Sequence, residues 1–301
     1  MYLEREIGPP TRIPDTQCSR DVNLNTISDS QTMRALADHS ASPGFPSASQ
    51  QLENFGIKFS SGGAHISRTI MLKELGIVLA NVGAGSSPID YRAAIVEDNI
   101  LAKTTESTRQ KTLRHLRELY SLDECAPIFG LLRKLYSIDN QSLPLLAFQV
   151  AWARDPLLRA TTTYLFSVSP EDRVETKPLA DSVEAAFGNQ YSELNRQKVA
   201  RNAASSWTQA GYLVGRTSKK RRQVRPSVVA TTLALFLGDI CGYHGVTAFS
   251  NPWCRLLDLT ADRARVMAIQ AHGTGLINFR GVGEVVELSF PMFVEFQEKS
   301  S

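Results

Sequence analysis

Asn195–Pro226 reads NRQKVARNAASSWTQAGYLVGRTSKKRRQVRP, and its nine Lys or Arg stand without a single Asp or Glu. The first part has helical spacing. Ser192 suits an N-cap, Glu193 suits the positive end of the helix dipole, and Val199, Ala203, Trp207 and Ala210 recur on one side. Gly211 is placed to end the helix. The chain then reads as a two-stranded hairpin, YLVGR and QVRP, with the charged TSKKRR at its tip. Helix followed by basic hairpin is the outline of a winged helix.

At 100° per residue the apolar set leaves Lys198, Arg201, Asn202, Ser205 and Gln209 on the opposite side. These side-chain types read grooves and contact phosphates. Arg216, Lys219, Lys220, Arg221, Arg222 and Arg225 are expected to hold phosphate beside the helix, each contact releasing counterions. Arg196 projects toward the apolar side and has to snorkel or find a partner. The plainer alternative is a solvated hairpin whose KKRR is a surface loop or a localisation signal.

Working outward, the 301 residues suggest two domains, or one with extensions, and 43% apolar content is ample for a core. Net charge is only +3, so the basic character is local. Cys18, Cys125, Cys241 and Cys254 form no CxxC pair and follow no signal peptide, which points to reduced thiols in a cytoplasm. The longest apolar run, Val228–Ile240, is too short and too interrupted by Thr and Asp to span a bilayer.

Residues 1–54 are rich in Ser, Asp, Gln, Asn, Thr and Pro and read as a mostly disordered extension, with a short helix around Thr32 to Asp38 as an option. From Phe59 the pattern of Ile66, Ile70, Leu72, Leu75, Val78 and Leu79 reads as a buried helix ended by Gly83. The Gly62-Gly63 pair ahead of it lacks the Gly-Lys-Ser/Thr ending of a phosphate loop, so it reads as an entry turn.

PIDYRAAIVEDNILAK and ESTRQKTLRHLRELYSL follow as tandem helices around Thr104-Thr105. The second places Leu113, Leu116 and Tyr120 opposite Lys111, Arg114 and Arg117, a helix-turn-helix candidate whose alternative is an ordinary surface helix. TESTRQK (105–111) and SELNRQK (192–198) align a hydroxyl cap, a Glu and an identical Arg-Gln-Lys, the signature expected of a duplicated unit. Residues 122–168 read as core helices and SPEDRVETKP as a boundary, giving a helical domain 55–169 and a winged-helix domain 170–301. GLINFRGVGEVVELSFP alternates like a second hairpin turning at Gly281–Gly283, with packing as its role. The fold class expected is mainly α: a helical bundle with tandem helix-turn-helix or winged-helix-like modules and short β-hairpins.

Cys241, His244, Cys254 and His272 fit no zinc spacing, Glu97 and Asp98 cannot share a helix face, and no nucleophile or Walker motif occurs. No enzyme, cofactor or small-molecule substrate is expected.

The runs SSGGAHISRTIMLKELGIVLANV, AAIVEDNILAKTTESTRQKTLRHLRELY, SELNRQKVARNAASSWTQAGYLV and GLINFRGVGEVVELSF resemble the BrxA family of the BREX bacteriophage-exclusion systems. The resemblance covers Phe59 to Pro291. Its most specific pieces are Glu97-Asp98-Asn99-x-Leu101 ahead of Ser107-Thr108-Arg109, and Gly283 to Leu288. It implies a small, mainly helical, non-enzymatic DNA-binding protein of phage defence. Such proteins are encoded beside a methyltransferase, an ATPase, a PglZ-type protein and a Lon-like protein. Family members have been labelled inner-membrane proteins, which the apolar run here argues against.

Three classes of function are compatible with the residues: a double-stranded-DNA-binding accessory subunit, a winged-helix transcriptional regulator, and an RNA-binding or scaffolding protein. A regulator usually needs dimer symmetry to read a palindrome, and the sequence shows no heptad or evident dimer helix; RNA readers usually show exposed aromatics among the charges, whereas Trp207 lies on the apolar face.

Overall fold

The structure is a computed structural model that describes residues 44–282 and 285–298. It is mainly helical with two small antiparallel sheets. The first elements are α1 (Gln50–Phe55), α2 (Leu72–Asn81), α3 (Pro88–Arg92, prolonged by a π turn over Ala93–Glu97), α4 (Glu106–Tyr120), α5 (Pro127–Ile138) and α6 (Leu143–Arg154). They are followed by α7 (Pro156–Ala160), α8 (Thr162–Ser167), β1 (Arg173–Val174), α9 (Thr176–Phe187), α10 (Glu193–Gln209), β2 (Leu213–Val214) and β3 (Lys219–Arg221). The last are α11 (Val228–Ile240), α12 (Pro252–Leu256), α13 (Ala261–Gly273), β4 (Asn278–Val282), β5 (Val285–Ser289) and α14 (Val294–Glu298).

The stretch that opened the sequence analysis folds as a winged helix. Strand β1, helices α9 and α10, and the hairpin β2–β3 form a unit in which β3 lies between β1 and β2. Lys220 stands opposite both Arg173 and Val214. Ser192 caps α10 by accepting from the Asn195 N–H, and Gly211 takes a left-handed φ of +92° just past its end. Arg196 finds its partner in Glu184 on α9, 3.1 Å away. The order helix, helix, hairpin recurs in α12, α13, β4 and β5, behind α11. The turn expected at Gly281–Gly283 shifts: Gly281 and Val282 belong to strand β4, and Gly283-Glu284 lie outside the described residues.

Four expectations change. The KKRR run is not a hairpin tip: Lys219, Lys220 and Arg221 are strand β3, and the turn is Gly215–Ser218, where Gly215 has φ +104°. Residues 59–71 are not helical. They form an extended strap with one 3-10 turn at Ala64–Ile66, because the bundle supplies partners for its main chain. The turn before α4 is longer than the three or four residues of a helix-turn-helix and runs over Asp98–Thr105, so Ile100 to Lys103 are not helical as the tandem-helix reading had them. There Asn99 and Ala102 adopt positive φ, and the Asn99 amide closes the loop by bonding both the N–H and the C=O of Lys103. This gives the Glu-Asp-Asn motif a structural role.

The fourth change concerns boundaries. Phe45 and Leu52 are buried, so the described part of the 1–54 segment is docked rather than disordered, and Thr32–Asp38 lies outside the described residues. One hydrophobic cluster also runs through both proposed domains, from Phe45 through Trp152 to Trp207 and Phe296, so residue 169 divides no core. Phe45 meets Trp152 edge-on at 5.1 Å, Trp253 at 5.5 Å, and the Arg159 guanidinium at 3.9 Å. Phe45→Ala is therefore expected to cost about 3 kcal/mol in urea unfolding. A chain starting at Asn54, which lacks both Phe45 and Leu52, is expected to melt well below the full protein.

Candidate nucleic-acid interface

The strap from Ala64 to Leu72 lies along α10 and fixes which of its side chains are free. Asn202 donates to the His65 carbonyl (2.8 Å), Ser206 Oγ accepts from the Ile70 N–H (3.0 Å), and Gln209 Oε1 accepts from the Leu72 N–H (3.2 Å). These three positions follow one another along a single helix face. Behind them runs a buried chain: the Asp155 carboxylate meets His65 Nδ1 at 2.6 Å, and His65 Nε2 meets Ser206 Oγ at 2.8 Å. His65, Asp155 and Ser206 are all sealed from solvent.

That connectivity is the one used by serine hydrolases, so the geometry has to decide what it does here. Ser206 Oγ also donates to the Asn202 carbonyl inside α10, and no surface opening reaches it. An enclosed hydroxyl with its bonds already made holds structure together; it does not attack substrate. Sequence motifs could not reveal the trio, whose members are 90 and 141 positions apart from His65.

Asn202 and Gln209 are thereby corrected as groove readers, because their amides bind the strap. Ser205 is half-buried and donates to the Arg201 carbonyl. Lys198 and Arg201 remain exposed. On α4, Thr105 accepts from Thr108 N–H as the cap, and Lys111 and Arg114 are exposed. Arg117 is corrected: half-buried, it donates to the Pro88 carbonyl (3.0 Å) and ties α4 to α3.

In the wing the six cations divide. Arg221 is buried, lies 2.5 Å from Asp258, and stacks over Phe166 and Tyr212 at 4.8 and 5.4 Å. It is a core residue, not a phosphate ligand, because strand alternation turns it inward between Lys220 and Arg222. Burial pushes Asp258 above its ordinary range, and the Val224 N–H and the Arg221 charge offset this only in part. Lys219 is half-buried and donates to Thr208 Oγ1, and burial lowers its amine. Arg216, Lys220, Arg222 and Arg225 are exposed. Arg222 and Arg225 line one groove of about 1050 Å³ with Arg263 from α13.

The eight exposed cations, Lys111, Arg114, Lys198, Arg201, Arg216, Lys220, Arg222 and Arg225, have no carboxylate within 4 Å among the described residues. Elsewhere Arg92 pairs with Glu97, Lys103 with Glu74, Lys134 with Glu295 and Lys177 with Asp181. Much of the unpaired positive charge thus lies on α4, α10 and the wing, with Lys73, Arg263 and Arg280 exposed and likewise without a carboxylate partner elsewhere among the described residues. Sequence comparison adds no identity: no protein-family model and no curated protein matches the chain.

Among the described residues no three His, Cys, Asp or Glu come together to hold a metal. His244 pairs with Asp239, and Cys254 is buried against Asn251. No described helix is long and apolar enough to cross a membrane.

Two outcomes follow from these contacts. Arg221→Ala leaves Asp258 unpaired in the interior and is expected to cost about 3 kcal/mol, whereas Arg222→Ala should stay within about 0.5 kcal/mol; thermal and urea melts of the two decide it. Burial pushes the Asp155 carboxyl up, but the charge and hydrogen bond of His65, with the Leu158 and His65 N–H groups, bring it below its ordinary 3.8. A depressed folded value stabilises the protein above the unfolded value and is lost as pH falls through the folded one. Urea melts from pH 7 to 3 should therefore show the wild type losing stability below about pH 4 more steeply than Asp155→Asn.

Proposed function

We propose that this protein binds duplex DNA without catalysing a reaction on it, holding the phosphate backbone with α4, α10 and the wing. The observation that carries this reading is that eight exposed cations without an acidic partner lie on α4, α10 and the wing, the two helices being joined by the strap. An unpaired cation releases a condensed counterion when it meets phosphate, and it loses no internal ion pair in doing so. Phosphate contact dominates over base readout, because the strap takes up Asn202 and Gln209, the residues on α10 best suited to reading adenine. Affinity is therefore largely indifferent to sequence.

On the strength of the resemblance to the BrxA family, the setting we propose for this activity is a BREX phage-defence system in the cytoplasm, beside a methyltransferase, an ATPase and a PglZ-type protein. The genes that flank this one test that setting directly.

Binding is tested by titrating fluorescent duplex, single-stranded DNA and RNA at several salt concentrations. The expectation is preference for duplex with a steep salt dependence; equal or better binding to RNA overturns the reading. Replacing Lys220 and Arg222 by Ala should weaken all duplexes alike. It should also reduce the slope of log K against log salt by up to about 0.9 for each lost phosphate contact.

A further inference from the structure

The strap does more than cover one face of α10: it crosses the gap between the two basic helices. Arg68 and Thr69 on the strap, Lys103 in the turn before α4, Thr108 in its first turn, and Asn202 on α10 line an open cleft of about 370 Å³, with Glu74 as its one acid. Glu74 is already held by Lys103 at 2.9 Å. The Arg68 guanidinium makes one hydrogen bond, to the carbonyl of its own neighbour Ser67 (3.3 Å), and meets no carboxylate within 4 Å among the described residues. The cleft therefore carries one uncommitted cation flanked by hydroxyls.

The helices extend this positive charge on either side. Around α4, Lys111 is displaced about 60° from Thr108, and around α10, Lys198 is displaced about 40° from Asn202, at 100° per residue. Both lysines are exposed. Burial lowers His115 on α4, with Glu118 opposing and the charges of Arg114 and Arg68 lowering it further. Positive side chains thus run from α4 across the strap to α10.

We propose that this cleft seats one backbone phosphate of the duplex, with Arg68 as its ligand, so that both basic helices lie on the same DNA. The inference rests on the duplex-binding reading above. A guanidinium fork suits two oxygens of a phosphodiester, and Thr69 and Thr108, whose hydroxyls bond Met71 N–H and Thr105 Oγ1, line the same cleft. An open cleft with one free arginine is a weak site for a lone anion. The flanking lysines engage only when the phosphate belongs to a polymer that reaches them.

The test uses the full chain and a short duplex, comparing wild type, Arg68→Gln, Arg68→Lys and the wing variant Lys220→Ala with Arg222→Ala, all checked by melting. Arg68→Gln is expected to weaken binding about tenfold at low salt and to reduce the salt slope by about 0.9. Arg68→Lys should restore the slope while recovering only part of the affinity, because it returns the charge without the fork. Inorganic phosphate should compete no better than chloride at equal ionic strength. Stronger competition in wild type than in Arg68→Gln would make this a small-anion site and overturn the assignment. So would wild-type affinity and slope in a folded Arg68→Gln protein, and if the wing variant is then still impaired, DNA binding stands without the cleft. No duplex binding by the wild type at low salt overturns both.

Discussion

The Asp155 carboxylate joins three parts of the chain that are far apart in sequence. Its Oδ1 accepts the N–H groups of Leu157 and Leu158 and so starts α7, while Oδ2 accepts both the main-chain N–H and the ring of His65. His65 passes the connection to Ser206 in the middle of α10. The carboxylate can approach the strap only because position 63 is a glycine: a Cβ there would come within 2.1 Å of Asp155 Oδ1. Buried polar groups of this kind are costly unless every partner is present, which makes the network a condition on how α10 sits against the bundle. The Gly62-Gly63 pair, an entry turn in outline, serves that close approach.

Three buried arginines do similar work at helix ends. Arg133 donates to the carbonyls of Leu79 and Val82 at the end of α2. Arg154 reaches Arg117 and Glu118 at the end of α4, as well as Gly56. Arg159 binds Trp152 and Ala153 near the end of α6 and Lys58 beyond it. The last carbonyls of a helix have no partner within it and carry the negative end of its dipole, so a guanidinium there satisfies both needs. Burial lowers Arg159 to about 9, Asp155 opposing, which still leaves it cationic at neutral pH. Part of the positive charge counted in the sequence therefore lies inside, so the sequence count overstates what the surface carries.

Local signals were legible where the chemistry is local. The Ser192 and Thr105 caps, the apolar face through Val199, Ala203 and Trp207, and the Gly211 stop each depend on residues within one or two turns. The misread parts depend on distant partners. The strap is apolar at helix-like spacing, yet its main-chain bonds go to α10 and to Tyr120. Arg221 sits in a run of four cations and differs from its neighbours only because Asp258, Phe166 and Tyr212 meet it in space. Composition identifies a basic wing; only the register of β3 against β1 and β2 selects which of its residues face out.

The matching TESTRQK and SELNRQK segments illustrate how far such a local signal extends. Both place a hydroxyl cap and a first-turn Glu at a helix start, and physics favours that pairing at any N-terminus. The units around them differ. α9 reaches α10 through Gly188–Ser192, whereas α3 ends in a π turn and reaches α4 through Asp98–Thr105, closed by Asn99. What relates the two basic helices in space is not a repeated turn but the strap between them. Its Ile70 N–H bonds α10 through Ser206, and its Ile70 carbonyl receives the Tyr120 hydroxyl from α4 at 2.5 Å. One residue thus fixes both helices through opposite sides of its own peptide groups, and the cleft lined by Arg68 follows from that arrangement.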